Sequence, residues 1–160
     1  MNVQFRLADY HNPADASAVL SLLDAYAQDP MGGAAPLIDE VKATLIAKLA
    51  QQPGAFSIIG FNGEEAVALA NCFTGFSTFK AKPLVNIHDC YVAPQCRGQH
   101  VGQRLLDAIV KEAKERGCCK VTLEVLEGNV RAKAAYQKYG FRGYTLDDTS
   151  GAAVFWEYPL

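Results

Sequence analysis

The sequence predicts an α/β or α+β domain on one mixed β-sheet, with elements in the order β-αα-βββ-α-β-α-ββ. Three observations carry this. Asn62-Gly63 lies between two apolar runs of strand character, the pattern of a tight antiparallel hairpin. Residues 84–126 read as strand, glycine-containing loop, amphipathic helix and strand, a unit that joins parallel neighbours through a right-handed crossover. Ahead of both, a strand of period two is followed by two helical segments.

Each element has its own signal. "VQFRLA" (3–8) alternates apolar and polar residues as a half-buried first strand does. "NPADASAVLSLLDAYAQDP" (12–30) is a helix with Pro13 in its first turn, Val19, Leu20, Leu23 and Tyr26 as its apolar residues, and Pro30 at its end. "MGGAAP" (31–36) is flexible by composition. "LIDEVKATLIAKLAQQPG" (37–54) is a second helix, with Val41, Leu45 and Leu49 on one stripe and Pro53-Gly54 as its stop.

"AFSIIGF" (55–61) and "AVALANCFTGF" (66–76) flank "NGEE", which predicts a primed turn. "LVNIHDCYVAP" (84–94) is a strand ended by Pro94. "VGQRLLDAIVKEAKERG" (101–117) places Val101, Leu105, Ile109 and Ala113 on one helical face and closes on Gly117 as a left-handed cap. "CCKVTLEVLEG" (118–128) returns as a strand and "NVRAKAAYQKYG" (129–140) as a helix capped by Gly140. "FRGYTLD" (141–147) and "AAVFWEYPL" (152–160) form two closing strands.

At 160 residues, half of them hydrophobic, residues 1–160 fit a single domain with a sizeable core. A formal charge of −2 supplies no basic field for nucleic acid or for an anionic membrane surface. "MNVQFRLADYHNPADAS" lacks the apolar stretch of a signal peptide, and no run approaches the roughly 20 apolar residues of a membrane span. The expectation is a cytoplasmic protein with neither partner. Five cysteines, an odd number without metal-ligand spacing, read as reduced thiols, and no metal is expected; the adjacent Cys118 and Cys119 read as structural.

The stretch "QCRGQHVGQ" (95–103) carries the chemistry. A helix that starts after a strand and a glycine turn presents unpaired amides and the positive end of its dipole to an anion. Gly98 and Gly102 allow close backbone approach, and Arg97 offers a charge-assisted bond to an anionic oxygen. Taken alone, the loop also fits a packing turn. A Walker loop is excluded, because Gly-Gln-Arg stands where Gly-Lys-Ser/Thr is needed. A dinucleotide loop is a poorer second: Glu124 lies about 20 residues downstream, but only two glycine positions are filled.

"YVAPQCRGQHVGQRLL" followed by "LEVLEGNVRAKAAYQKYGF" resembles the acyl-CoA-binding core of the GNAT N-acetyltransferase family. The loop pattern there is Arg or Gln, two residues, Gly, one residue, Gly or Ala, and the match spans Leu84 to Phe141. The resemblance implies a GNAT-type mixed, splayed sheet flanked by helices. Acetyl-CoA, as cosubstrate, would lie between the strand ending at Val92 and the strand "KVTLEVL". Its pyrophosphate would meet the amides of Arg97, Gly98, Gln99, His100, Val101 and Gly102. The backbone of Tyr91 and Val92 would pair with the pantetheine arm as an added strand, Asn129 would reach that arm from the other side, and Tyr136 would also border the cofactor. His100 occupies the first glycine of the family pattern; a positive φ there would strain it by roughly 1–2 kcal/mol.

Acetyl transfer from a thioester to an amine by direct attack in a ternary complex needs a neutral amine, a place for negative charge and an acid for the leaving thiolate. Glu124, within "VTLEVL", shares a face with Thr122 and Leu126, and burial there would raise its pKa towards that of a general base. A strand-end carboxylate bonded to a neighbour is the structural alternative. Tyr136 lies two helical turns after Asn129, on the same side. By resemblance to N-terminal acetyltransferases of ribosomal proteins, Glu124 and Tyr136 would be base and acid, whereas Tyr139 reads as core.

His88 and Asp89 interrupt an apolar strand and point to opposite faces unless a bulge intervenes. Asp89 is the second candidate for base or amine anchor, and a pair satisfied by local hydrogen bonds is the alternative. Cys90 and Cys96 read as structural thiols rather than nucleophiles. "DPMGGAAPL" and "FTGFSTFKAKP" are expected to wall the acceptor, with Asp29 able to attract an amine. The acceptor is a small-molecule amine or a peptide N-terminus; the rival function is a non-catalytic acyl-CoA sensor. The aromatic closing strand fits pairing across a homodimer and core burial equally.

Overall fold

The sheet has five strands in the spatial order β1-β2-β3-β4-β5, in a computed structural model that describes residues 2–160. It belongs to the first of two compact units, which ends at Leu123; the second runs from Glu124 to Leu160. The strands are β1 (Val3–Leu7), β2 (Ala55–Asn62), β3 (Glu65–Ser77), β4 (Lys82–Val92) and β5 (Val121–Leu123). Helices α1 (Pro13–Gln28), α2 (Asp39–Gln51) and α3 (Val101–Glu115) complete this unit, with a 3-10 turn at Pro94–Cys96. All neighbours are antiparallel except β4 and β5, which the α3 crossover joins in parallel.

Adjacent residues on β2 show how the helices are distributed. Phe56 lies under the Arg116 guanidinium, 4.0 Å from its ring centroid, at the end of α3, whereas Ser57 meets Tyr10 just before α1. Successive strand residues face opposite ways, so these two helix ends meet opposite faces of the sheet. Val101, Leu105, Ile109 and Ala113 are all buried, as their spacing predicts. Ile59 and Leu69, in phase with Ser57, are buried on the opposite face, and each large buried side chain contributes about 1.5–3 kcal/mol by leaving water.

The hairpin is present, with the turn centred one residue later than "NG". Asn62 pairs with Glu65, and Gly63 takes the positive φ (63°) at the first turn position. Asn12 caps α1 by accepting from the amides of Ala14 and Asp15, with Pro13 as its first residue. Buried Leu22, rather than half-buried Leu23, is the deeper apolar contact of that helix.

The segment 31–36 is held more firmly than its composition suggests. Asp29 accepts from the Met31 amide through its side chain and from the Gly32 and Ala34 amides through its carbonyl, and Asp24 accepts from the Leu37 amide. A Cβ on Gly32 would fall 1.9 Å from the Tyr26 carbonyl oxygen, so only glycine lets the loop close onto α1.

Two irregularities of β4 shape the site. Asn71 pairs with Asp89 and Cys72 with Ile87, so His88 is an extra, bulged residue. β5 pairs only with Val85, Asn86 and Ile87, so β4 from His88 to Val92 has only β3 beside it in the sheet. This is the splay expected between the two strands.

In the second unit, α4 (Val130–Tyr139) begins at Asn129, whose side chain accepts from the Ala132 amide, and ends on Gly140 at φ 118°. The two predicted closing strands reduce to one bridge, Thr145 with Ala152, beside a bond from the Ala153 amide to the Tyr144 carbonyl. Asp147 gathers the amides and hydroxyls of Thr149 and Ser150 into the intervening turn. Phe155, Trp156 and Tyr158 are exposed, and a two-stranded ribbon without a buried face has little to propagate it. All five cysteines are free thiols. Among the described residues no helix is long and apolar enough to cross a membrane, and no cluster of three or more His, Cys, Asp or Glu is placed to hold a metal.

Candidate functional site

The end of β4 turns part of its backbone away from β3. The Ala93 amide donates to the Val67 carbonyl of β3. Antiparallel alternation therefore turns the Val92 carbonyl the other way, and there Arg97 Nε donates to it at 2.8 Å. Arg97 Nη2 donates to Asp29 Oδ2, also at 2.8 Å, and the guanidinium lies 5.6 Å from the Tyr91 ring centroid. One arginine thus links the loop after α1 to the end of β4, and its guanidinium is held by the chain's own acceptors. The Met31 amide and then Arg97 hold the Asp29 carboxyl below its usual range, while burial holds the Tyr91 phenol above its own.

The turn that follows is left-handed twice. Gly98 has φ 79°, and the space around its absent Cβ is open, so conformation rather than crowding favours glycine there. Gly102 is the reverse: its φ is not positive, and a Cβ would make ordinary contact with Val92 Cγ2 at 3.8 Å, consistent with a position that accepts Gly or Ala. His100 has φ 60° and is the N-cap of α3 without a side-chain cap bond. The first helical turn holds no acidic residue. The amides of Val101, Gly102 and Gln103 begin a 15-residue helix and lie at the positive end of its dipole. Gln99 Nε2 donates to the Gln95 carbonyl, within the same loop.

The left-handed histidine makes a direct prediction. His100→Gly relieves about 1 kcal/mol of backbone strain, partly offset by the freer unfolded chain, and should leave stability equal or slightly raised. His100→Val should lower it by about 1 kcal/mol or more, since a β-branched residue tolerates that region poorly. Urea unfolding of the three proteins checks the order Gly ≥ His > Val.

On β4 the bulge sets Asp89 opposite Asn71. Asn71 Nδ2 donates to Asp89 Oδ2 at 3.0 Å, Ser57 Oγ donates to Asn71 Oδ1 at 2.6 Å, and the Tyr10 hydroxyl lies 2.7 Å from Ser57 Oγ. His88 packs edge-on to Phe73, ring centroids 5.4 Å apart. Tyr26 of α1 stands near this group: burial first, and then the charge of Asp89, raises its phenol. The sequence singled out Asp89, and the structure places Tyr10, Ser57, Asn71 and Tyr26 around it, none of which the sequence reading proposed for the site. The available signal was Ser57 and Asn71 themselves, polar residues inside the apolar runs "AFSIIGF" and "ALANCF".

The second unit contains the remaining predicted residues. β5 ends at Leu123, so Glu124 lies one residue beyond the strand, and it is exposed. The expected burial of that carboxylate is therefore corrected: the apolar alternation of "VTLEVL" continues past the point where the strand stops. Tyr136 packs edge-on to Phe141, centroids 5.8 Å apart, and the Phe141 amide donates to the Tyr136 carbonyl. Tyr139 is half-buried against the same ring rather than in a core. The Asn129 carboxamide oxygen serves as the α4 cap.

The profile of the acetyltransferase (GNAT) family matches residues 20–141. Thialysine N-epsilon-acetyltransferase of Bos taurus is 32% identical over 73 residues, which are 46% of this chain and 42% of that protein. The chain thus spans about two fifths of the length of the thialysine N-epsilon-acetyltransferases that it matches. The uncharacterized N-acetyltransferase YhfO of Bacillus subtilis is 27% identical over 128 residues, 80% of this chain and 84% of that one. The solved structure of AAC(6')-Iy in complex with the bisubstrate analog CoA-S-monomethyl-acetylneamine superposes with a TM-score of 0.76 at 15% identity, covering 100% of both chains, which is a likeness of fold.

Proposed function

The chain belongs to the acetyltransferase (GNAT) family, and on that premise we propose that it moves an acetyl group from acetyl-CoA to a primary amine by direct attack in a ternary complex. The observation that carries the reading is the end of β4. This strand keeps β5 only to Ile87, continues to Val92, and is followed by a doubly left-handed turn and the uncapped start of α3. Those amides, from Gly98 through Gln99, His100 and Val101 to Gly102, suit a diphosphate; the Arg97 amide, expected to join them, donates instead to the Pro94 carbonyl that closes the 3-10 turn. The outward-facing backbone of Val92 suits an added extended strand, the role of pantetheine, while the backbone of Tyr91, expected to share that role, faces Leu69 of β3; bonding at the Val92 carbonyl would displace Arg97 Nε and free that guanidinium for an anionic oxygen. Asn129 and Tyr136 join the cofactor contacts on the family resemblance.

In the reaction, the amine nitrogen attacks the thioester carbonyl carbon, the C–S bond breaks, and the acetyl group leaves on nitrogen. Asp89 anchors the amine, Glu124 receives its proton and Tyr136 supplies one to the departing thiolate. The acceptor is a small-molecule amine or a peptide N-terminus; the thialysine name of a relative supports an amine on a flexible arm. The reading takes the chain as cytoplasmic and uses no metal.

Two measurements test it. Calorimetry should show acetyl-CoA binding in roughly the 1 μM to 1 mM range, and absence of binding overturns the reading. A screen of small amines, lysine analogues and peptide N-termini should release free CoA with at least one class. Binding without release across all of them would instead favour the acyl-CoA sensor.

A further inference from the structure

We propose that Tyr10, Ser57 and Asn71 form a positioning chain that fixes the orientation of the Asp89 carboxylate to receive a primary ammonium group. The inference rests on the amine-acetylating reading and names the residues that prepare its amine anchor.

The hydrogen-bond directions follow from proton counting. Ser57 has one hydroxyl proton, and it goes to Asn71 Oδ1 at 2.6 Å. At the 2.7 Å contact with Tyr10, Ser57 Oγ must therefore accept, and the tyrosine donates. Burial holds the Tyr10 phenol above its usual range, with the Ser57 bond opposing, so the proton needed for that donation stays in place. Asn71 Nδ2 then donates to Asp89 Oδ2 at 3.0 Å. Every donor points towards Asp89. Such a series polarises in one sense and ends with the Asn71 amide holding one carboxylate oxygen of Asp89 in place. An amide has no proton to pass on in its ordinary form, so the series orients a charge rather than relays a proton.

The strand register is shaped to the same end. Continuing the pairing of Cys72 with Ile87 without interruption would bring His88 opposite Asn71 and Asp89 opposite Ala70. The bulge at His88 advances β4 by one residue and brings Asp89 onto the Asn71 position. Ser57 and Asn71 are both buried, at 0% and 3% exposure, among apolar neighbours such as Ile58 and Leu69. Polar side chains at such places need every bond satisfied to be tolerated. Here the series ends on a half-buried carboxylate whose second oxygen takes no hydrogen bond from the described residues. That oxygen, on the stretch of β4 flanked in the sheet by β3 alone, is the one offered to a ligand.

The test is carbon-13 NMR of the Asp89 carboxyl, assigned with Asp89→Asn, while n-butylammonium chloride is added to the full chain at constant ionic strength. No turnover is required. The wild-type resonance should move saturably. The dissociation constant should rise roughly tenfold in Asn71→Ala, by about threefold in Ser57→Ala and about twofold in Tyr10→Phe, with Ser57→Thr close to wild type. A purely structural role would grade the effects by burial, putting Ser57 first, and would lower melting temperature in step. The proposal is overturned if the wild-type resonance does not respond, or if folded Asn71→Ala binds as wild type does. Should Asn71→Ala fail to fold, equal binding by wild type, Ser57→Ala and Tyr10→Phe overturns it. A saturable Asp89 response in a protein that acetylates no amine would count against the acetyl-transfer reading while sustaining the positioning chain.

Discussion

Replacing Asp15 by alanine should lower folding stability by about 3 kcal/mol at neutral pH, measured by urea unfolding with an unchanged denaturant slope. Asp15 is 1% exposed, and its carboxylate accepts from Arg6 Nη1 at 2.6 Å, from Arg6 Nη2 at 2.5 Å and from the Asp9 amide at 2.9 Å. These bonds fasten β1 to the first turn of α1. The Arg6 side chain is 53% exposed, so water screens much of the charge attraction and solvates the guanidinium once its partner is gone. That keeps the effect at the low end of what breaking a buried pair costs. The pH dependence fixes the cause. The Arg6 bonds hold the Asp15 carboxyl below its usual range despite burial. A group with a lowered native pKa stabilises the fold above its unfolded pKa and ceases to do so as pH falls through the native value. The gap between wild type and Asp15→Ala should therefore be full above about pH 5 and shrink on acidification. Asp24 and Asp29 are lowered too, by the Leu37 and Met31 amides first, so the variant should retain part of the acid sensitivity.

Asp15 also marks where sequence reading stops. Period and punctuation are local, and what they governed was legible: the buried stripe Val101, Leu105, Ile109 and Ala113, the Pro13 start of α1, the Gly117 and Gly140 caps, and the strand–loop–helix unit that became β4 and α3. The family loop pattern raised the question of φ at 100 without answering it; the structure gives 60°, a left-handed position that the chain fills with histidine. Partners distant in sequence were not legible. Tyr10 and Ser57 are 47 residues apart, and Arg97 and Asp29 are 68 apart. Nothing in either segment announces its partner. Composition misled at 31–36, where glycine serves close packing on Tyr26 rather than mobility. Alternation misled at Glu124 and in residues 141–160, because strand propensity describes a fit to a pleated surface and requires a neighbouring strand to express it.

The largest kinetic effects are expected from Glu124 and Tyr136. If Glu124 takes the amine proton, Glu124→Gln should lower kcat roughly a hundredfold or more while leaving the acetyl-CoA dissociation constant within about twofold of wild type. A peptide α-ammonium is roughly two to three pKa units more acidic than an alkylammonium and so gives up its proton more readily. Wild type should therefore turn over α-amines faster than side-chain amines of equal affinity. Tyr136→Phe removes only the proton donor. A thiolate departs more readily than an alkoxide or an amide, so its loss should be smaller, about tenfold, and confined to kcat. Asp89→Asn separates anchor from base: an anchor variant raises the amine KM, whereas a base variant lowers kcat at saturating amine. If Glu124→Gln and Tyr136→Phe both keep full turnover, neither moves a proton, and Asp89 or water must do so. If all three variants and the wild type bind acetyl-CoA equally and none releases CoA with any amine, the loop is a binding site without chemistry, and the sensor reading replaces the enzyme.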